Sequence, residues 1–94
     1  MTDLRVSEVR FTPAPIWWKE KGLLGWVSCV LDKALGVGGL GVRRTADGRM
    51  TLSFPGAKDR NGDLHHHVWP MDSATRESIE SQVMGELRSL GVLP

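Results

Sequence analysis

From Phe54 to Arg76 the chain reads FPGAKDRNGDLHHHVWPMDSATR, and few folds accommodate that order of signals. Asn61-Gly62 is the strongest short hairpin signal, because both residues tolerate the positive φ that a tight turn demands. Two strands are therefore expected to meet there. Pro55 and Gly56 end the first, since proline donates no hydrogen bond to a ladder and glycine packs no side chain. Pro70 ends the second, and Asp72 or Ser73 then caps a helix by accepting from a free N–H of its first turn.

Upstream, alternation at period two continues the pattern. Leu4 to Phe11 alternates with a change of phase at Ser7-Glu8, which reads as a bulge or a short strand. Thr12 to Gly22 holds two prolines and the Trp17-Trp18 pair beside Lys19, Glu20 and Lys21, a composition that suits a loop between strands. Leu23 to Leu31 is apolar on both faces apart from Ser28, so it is expected to be buried on both sides or central in the sheet, with Trp26 in the core. Asp32-Lys33 is its turn. Ala34 to Arg44 carries Leu35, Val37, Leu40 and Val42 among four glycines, which permit a bulge or a close backbone approach. Thr45-Ala46-Asp47-Gly48 is a further turn, and Met50, Leu52 and Phe54 then alternate with Thr51 and Ser53.

In the last segment Ile79, Val83, Leu87 and Leu90 recur at helical spacing with Met84 beside them. Gly91 is expected at C′, and Gly85, unfavourable inside a helix, marks a close packing contact. The expected class is α+β: an antiparallel meander of about five strands with the C-terminal helix packed on it, in a single domain spanning 1–94. A chain of 94 residues buries only roughly 60 to 65% of its unfolded surface, so a homodimer is a reasonable way to enlarge the core.

Composition narrows the functional classes. Twelve Lys and Arg against eleven Asp and Glu give a net charge of +1, so any nucleic-acid site must come from local clustering rather than bulk charge. The single cysteine, Cys29, lies in an apolar run and reads as a buried thiol. No run approaches a membrane span and the N-terminal segment has no apolar core of a leader, so the cytoplasm is the expected compartment. Neither GxGxxG nor GxxxxGK[ST] occurs, GVGGLG (Gly36 to Gly41) lies in a strand pattern with no helix after it, and Ser28, Ser53 and Ser73 have no His and acid at suggestive spacing. No enzymatic activity, cofactor or small-molecule substrate is expected.

With the strands placed, the chain resembles the SpoVG family, the stage V sporulation protein G group of septation proteins. VSEVRF (6–11) is similar to that family's opening strand, and GWVSCVLDKALGVGGLGV (25–42) to its central pair. FPGAKDRNGDL (54–64) parallels its Met-Pro-Ser, basic, Asp-Gly pattern. PMDSATRESIESQV (70–83) parallels its helix start, with Pro70, Ser73, Arg76 and Ile79 at matching spacing. Trp69-Pro70 stands where the family has His-Pro, and the Trp17-Trp18 loop and the glycines from Gly36 to Gly41 are unusual. The resemblance implies a small dimer that binds DNA or RNA as a regulator, with links to sporulation, septation and gene expression.

The candidate binding residues are cations in turns. Lys58 and Arg60 sit in one hairpin turn and Arg43, Arg44 and Arg49 flank another; turns two strands apart in a meander fall at the same end of a sheet, making one basic edge. The alternative is ordinary solubilising turn chemistry. Arg76, in the first helical turn where the macrodipole disfavours a cation, either contacts phosphate or pairs with Glu80 one turn on. His65 and His67 share a strand face while His66 opposes them, leaving two ligands and Asp63, so no metal is expected. Trp17, Trp18 and Trp69 either stack on bases or pack at an interface. The competing functional reading is a protein-interaction module that recruits a partner through a sheet edge and Trp17-Trp18.

Overall fold

A computed structural model describes residues 4–93, so both ends of the expected 1–94 domain, including the first residues of the segment read for a leader, lie outside that range. The order is β1 (Val6–Pro13), α1 (Ile16–Lys19), β2 (Leu23–Leu31), β3 (Leu35–Arg44), β4 (Met50–Ser53), β5 (Gly56–Lys58), β6 (Leu64–His66) and α2 (Ser73–Ser89). β1 to β4 form an antiparallel sheet in chain order, and β5 and β6 form a separate two-stranded hairpin. The class is the expected α+β, with the meander divided between two sheets.

The turn chemistry does what its residues dictate. Asp32 and Lys33 both adopt positive φ, 52° and 55°, the pairing a tight hairpin with right-handed strand twist needs. Gly62 adopts φ 84° in the Asn-Gly turn, where Asp59 N–H donates to the Asp63 carbonyl and Asp59 Oδ1 accepts from the N–H groups of Asn61 and Asp63. The phase change in β1 is a bulge: Glu8 has φ 50° and the register with β2 slips between Ser7 and Arg10. A second irregularity falls opposite the glycines of β3, between Val27 and Cys29.

β2 is central, paired on both sides, but buried on one face only. Leu23, Gly25, Val27 and Cys29 are buried, whereas Trp26 is half-buried on the opposite face and outside the core, contrary to the expectation from its size. The core is built instead from Val27, Val37, Leu40, Val42, Leu52 and Phe54 against Ile79, Val83, Met84 and Leu87 of α2. The segment expected to be loop holds the end of β1 and the single turn of α1. Gly85 is exposed and a Cβ there would meet nothing within 4 Å, so it marks no packing contact.

Helix α2 is stopped and started by its sequence. Asp72 Oδ1 accepts from Thr75 N–H at 2.7 Å as N-cap. At the other end Gly91 takes φ 78°, its N–H bonds the Arg88 carbonyl and Val92 N–H bonds the Leu87 carbonyl, a Schellman closure that turns Leu93 back into the core.

Two polar side chains lie on opposite flanks of the Ile79, Val83, Leu87 stripe, as 100° per residue requires. Gln82 accepts from Val6 N–H (2.9 Å) and donates to the Leu4 carbonyl (2.8 Å). Glu80 accepts from Leu52 N–H (2.9 Å) while Arg76 Nη2 donates to the Leu52 carbonyl (2.8 Å). The helix therefore satisfies backbone groups on both outer strands, which would otherwise be open to pairing with another chain. No helix among the described residues is long and apolar enough to cross a membrane.

Three carboxyls are held below the ordinary carboxylate range. For Asp72 the cause is the Thr75 N–H, for Asp59 the His65 ring nitrogen at 2.7 Å followed by backbone N–H groups, and for Asp47 the Thr45 hydroxyl followed by Arg49 N–H. A depressed folded-state pKa contributes stability that is present above the unfolded value near 4 and is lost as pH falls through the folded one. The thermal midpoint is therefore expected to hold from neutrality to about pH 5 and to drop below about pH 4. A flat midpoint down to pH 2.5, followed by circular dichroism, would contradict this assignment.

Candidate nucleic-acid interface

The six cations expected to form the site do not share one edge. Arg43 and Arg44 end β3, with Arg43 paired to Thr51 and Arg44 to Met50 across the hairpin, and Arg49 closes that turn. β4 then runs away from the turn, and β5 does not pair back along it. Among the described residues the β5–β6 hairpin packs on no other strand or helix, so Lys58 and Arg60 are carried out on an arm of their own. The expected single basic edge is thus corrected to two separate groups, because the meander breaks at Phe54-Pro55, where a buried aromatic and a residue without an N–H end the ladder.

Within the first group the cations differ. Arg49 Nε pairs with Asp47 Oδ2 at 3.5 Å. Strand alternation sends Arg43 and Arg44 to opposite faces of the sheet. Arg76 stays exposed but is engaged by its own domain: besides the Leu52 carbonyl, its Nε lies 3.7 Å from Glu80 Oε2 and its guanidinium stands 5.5 Å over the Phe54 ring. The pairing alternative for Arg76 is the one observed, and it ties α2 to β4.

The structure gathers a different set around Arg44. Its N–H donates to the Gly22 carbonyl at 2.7 Å, which draws the segment after α1 against the end of β3. Lys19, Lys21 and Arg44 consequently line one depression, with Glu20 the only carboxylate on it among the described residues. Arg44 also lines a second depression with Arg88 from the last turn of α2. In α1 Trp17 and Trp18 stack with ring centroids 4.8 Å apart and planes tilted by 33°, and Lys21 Nζ stands 5.9 Å from the Trp18 ring. Trp17 remains 55% exposed. Lys19 and Lys21 were legible as cations beside two tryptophans; their meeting with Arg44 and Arg88 depends on register and on where the helix ends.

At the far end of β2 and β3 lies a feature of opposite character. An apolar pocket of about 260 Å³ opens between Leu31, Leu35 and Val37 of the sheet and Val68, Trp69 and Met71 before α2, with no charged residue on its wall among the described residues. Leu35, Trp69 and Met71 at this pocket are exposed, Met71 to 83%. Cys29 on the wall is a free thiol whose pKa is pushed up by burial, which leaves it protonated and a poor nucleophile at neutral pH. Of the histidines, His65 is bound by Asp59 and His66 Nδ1 lies 3.2 Å from the Phe54 carbonyl oxygen. Among the described residues no three His, Cys, Asp or Glu side chains are grouped to hold a metal ion.

No protein-family model matches the chain, and no curated protein sequence matches it significantly.

Proposed function

We propose that this chain is a non-enzymatic nucleic-acid-binding regulator, the role implied by its resemblance to the SpoVG family, with its ligand at the α1 end of the sheet. The supporting observation is the gathering of Lys19, Lys21, Arg44 and Arg88 around depressions that share Arg44 and, among the described residues, carry one carboxylate, Glu20. In a chain of net charge +1 such clustering is what creates a local positive field. The projecting hairpin with Lys58 and Arg60 supplies a second, separate phosphate contact.

Binding to short DNA and RNA across a salt series tests this. Micromolar affinity is expected at about 50 mM salt, and each lost phosphate contact reduces the log–log salt slope by about 0.9 on duplex and about 0.7 on single strands. Arg44→Glu is expected to weaken binding and flatten the slope. Arg76→Ala is expected to leave the slope unchanged while lowering stability, since its guanidinium serves the Leu52 carbonyl and Glu80. Millimolar affinity at low salt, unmoved by Arg44→Glu, would sink the reading.

The apolar pocket favours a second reading, protein recruitment, with another copy of this chain as the partner. An isologous contact needs a patch that carries both a hole and a projection, without charge that would meet its like. The pocket and the exposed Met71 and Trp69 at it meet those conditions. Light scattering at micromolar concentration is expected to give twice the 10.4 kDa chain mass, and Met71→Glu to halve it. A wild-type mass near 10.4 kDa would dismiss the dimer.

A further inference from the structure

We infer that the ligand of the cationic α1 end is a single strand rather than a duplex, with the exposed face of Trp17 serving as the platform on which an unpaired base stacks. This rests on the nucleic-acid reading of that end and adds the form of the ligand. Trp17 belongs to a four-residue helix that packs on β2 alone, so its ring stands out from the body of the domain. A large aromatic this exposed contributes little to the fold. It is nonetheless held in place: one face leans on Trp18, and Trp18 is in turn approached by Lys21. A ring fixed in this way loses little freedom when a flat partner settles on its open face.

The neighbours decide what that partner is. Lys19 follows the tryptophan pair directly in α1 and shares a depression with Lys21 and Arg44, so a strand whose phosphates cross this depression passes beside the helix that carries Trp17. Alternating cations and aromatic faces are the recognition chemistry of single-stranded nucleic acid, whose bases present free π-faces of any sequence. In a duplex those faces are occupied by neighbouring base pairs, and only phosphates and groove edges remain. The cations alone would serve a duplex equally well; Trp17 serves only the single strand.

The test uses fluorescence anisotropy of a labelled single-stranded oligonucleotide and a blunt duplex of equal length at matched salt. The wild-type chain is expected to favour the single strand by about tenfold, a ratio that Trp17→Ala removes by weakening single-strand binding about tenfold and leaving the duplex unchanged. Trp17→Phe, which keeps a stacking face, is expected to retain most of the preference, with thermal midpoints confirming that each variant is folded. If Trp17→Ala leaves single-strand affinity unchanged, or Trp17→Phe loses as much as Trp17→Ala, the stacking platform is overturned. Equal affinity for both forms, weakened alike by Arg44→Glu, overturns the single-strand inference and leaves the nucleic-acid reading standing. Binding to neither form overturns both.

Discussion

Leu87→Ala is expected to lower the unfolding free energy by about 2 to 5 kcal/mol, the range for deleting most of a buried leucine side chain. Leu87 is completely inaccessible and sits where Val83, the sheet core and the returning Leu93 converge. The cost has two parts: the transfer of the lost methyl groups, at about 0.8 kcal/mol per buried carbon, and the cavity left behind. Collapse is opposed here because the main chain at Leu87 is pinned, its carbonyl accepting from Val92 N–H at 2.9 Å. A domain of this size has a total stability of roughly 5 to 14 kcal/mol, so the substitution removes a large share. Urea denaturation measures it. Leu90→Ala, at an exposed position three residues on, is the reference and is expected to change stability by less than about 0.5 kcal/mol. A loss below about 1 kcal/mol at Leu87 would mean that α2 does not pack as described.

Gly25→Ala is expected to cost about 1 to 3 kcal/mol or more, although it adds a single methyl group. A Cβ at this position would overlap the Thr12 carbonyl oxygen and come within 2.5 Å of Phe11 Cζ. Neither neighbour yields easily. Thr12 belongs to the β1–β2 ladder, in which Pro13 is the register partner of Gly25, and the Phe11 ring packs against the core. The obligation is steric rather than conformational, since Gly25 does not have a positive φ. Gly36→Ala separates the two explanations, because a Cβ there meets nothing within 4 Å and its φ is also ordinary. It is expected to be neutral or to stabilise by about 0.4 to 1 kcal/mol through the unfolded chain. If both substitutions cost the same in thermal or urea melts, close approach at Gly25 is not the reason for glycine.

Taken together, these two sites describe how the sheet and helix meet. Phe11 crosses from β1 over Gly25 of β2, and α2 covers the same side with Val83 and Leu87. The polar flanks of α2 then occupy backbone groups of the outer strands through Gln82, Glu80 and Arg76. This removes backbone groups of Val6 and Leu52 from what the sheet edges offer a partner. The candidate surfaces lie instead at the two ends of the long central strands, one cationic and aromatic, the other apolar and uncharged.

What the sequence by itself determined is local. The turns at Asp32-Lys33 and Asn61-Gly62, the Asp72 cap and the Gly91 stop follow from which residues tolerate positive φ, lack a donor or offer a short side-chain acceptor, and such preferences act over a few residues, whereas the phase change at Ser7-Glu8 left a bulge or a short strand open and the structure has the bulge. The α+β class followed from periods of 2 and 3.6, which are equally local. Only the tertiary structure decided the rest. Trp26 faces away from the core because the half-buried outer face of β2 accepts a large ring that the period cannot assign to a side. Arg76 is spent on Leu52 and Glu80 because the helix crosses onto β4. The cations divide because the ladder stops at Phe54-Pro55, and Lys19, Lys21, Arg44 and Arg88 meet because residues distant in the chain converge where Gly22 bonds Arg44. Pairings of that kind depend on long-range register and helix placement, which no local preference encodes.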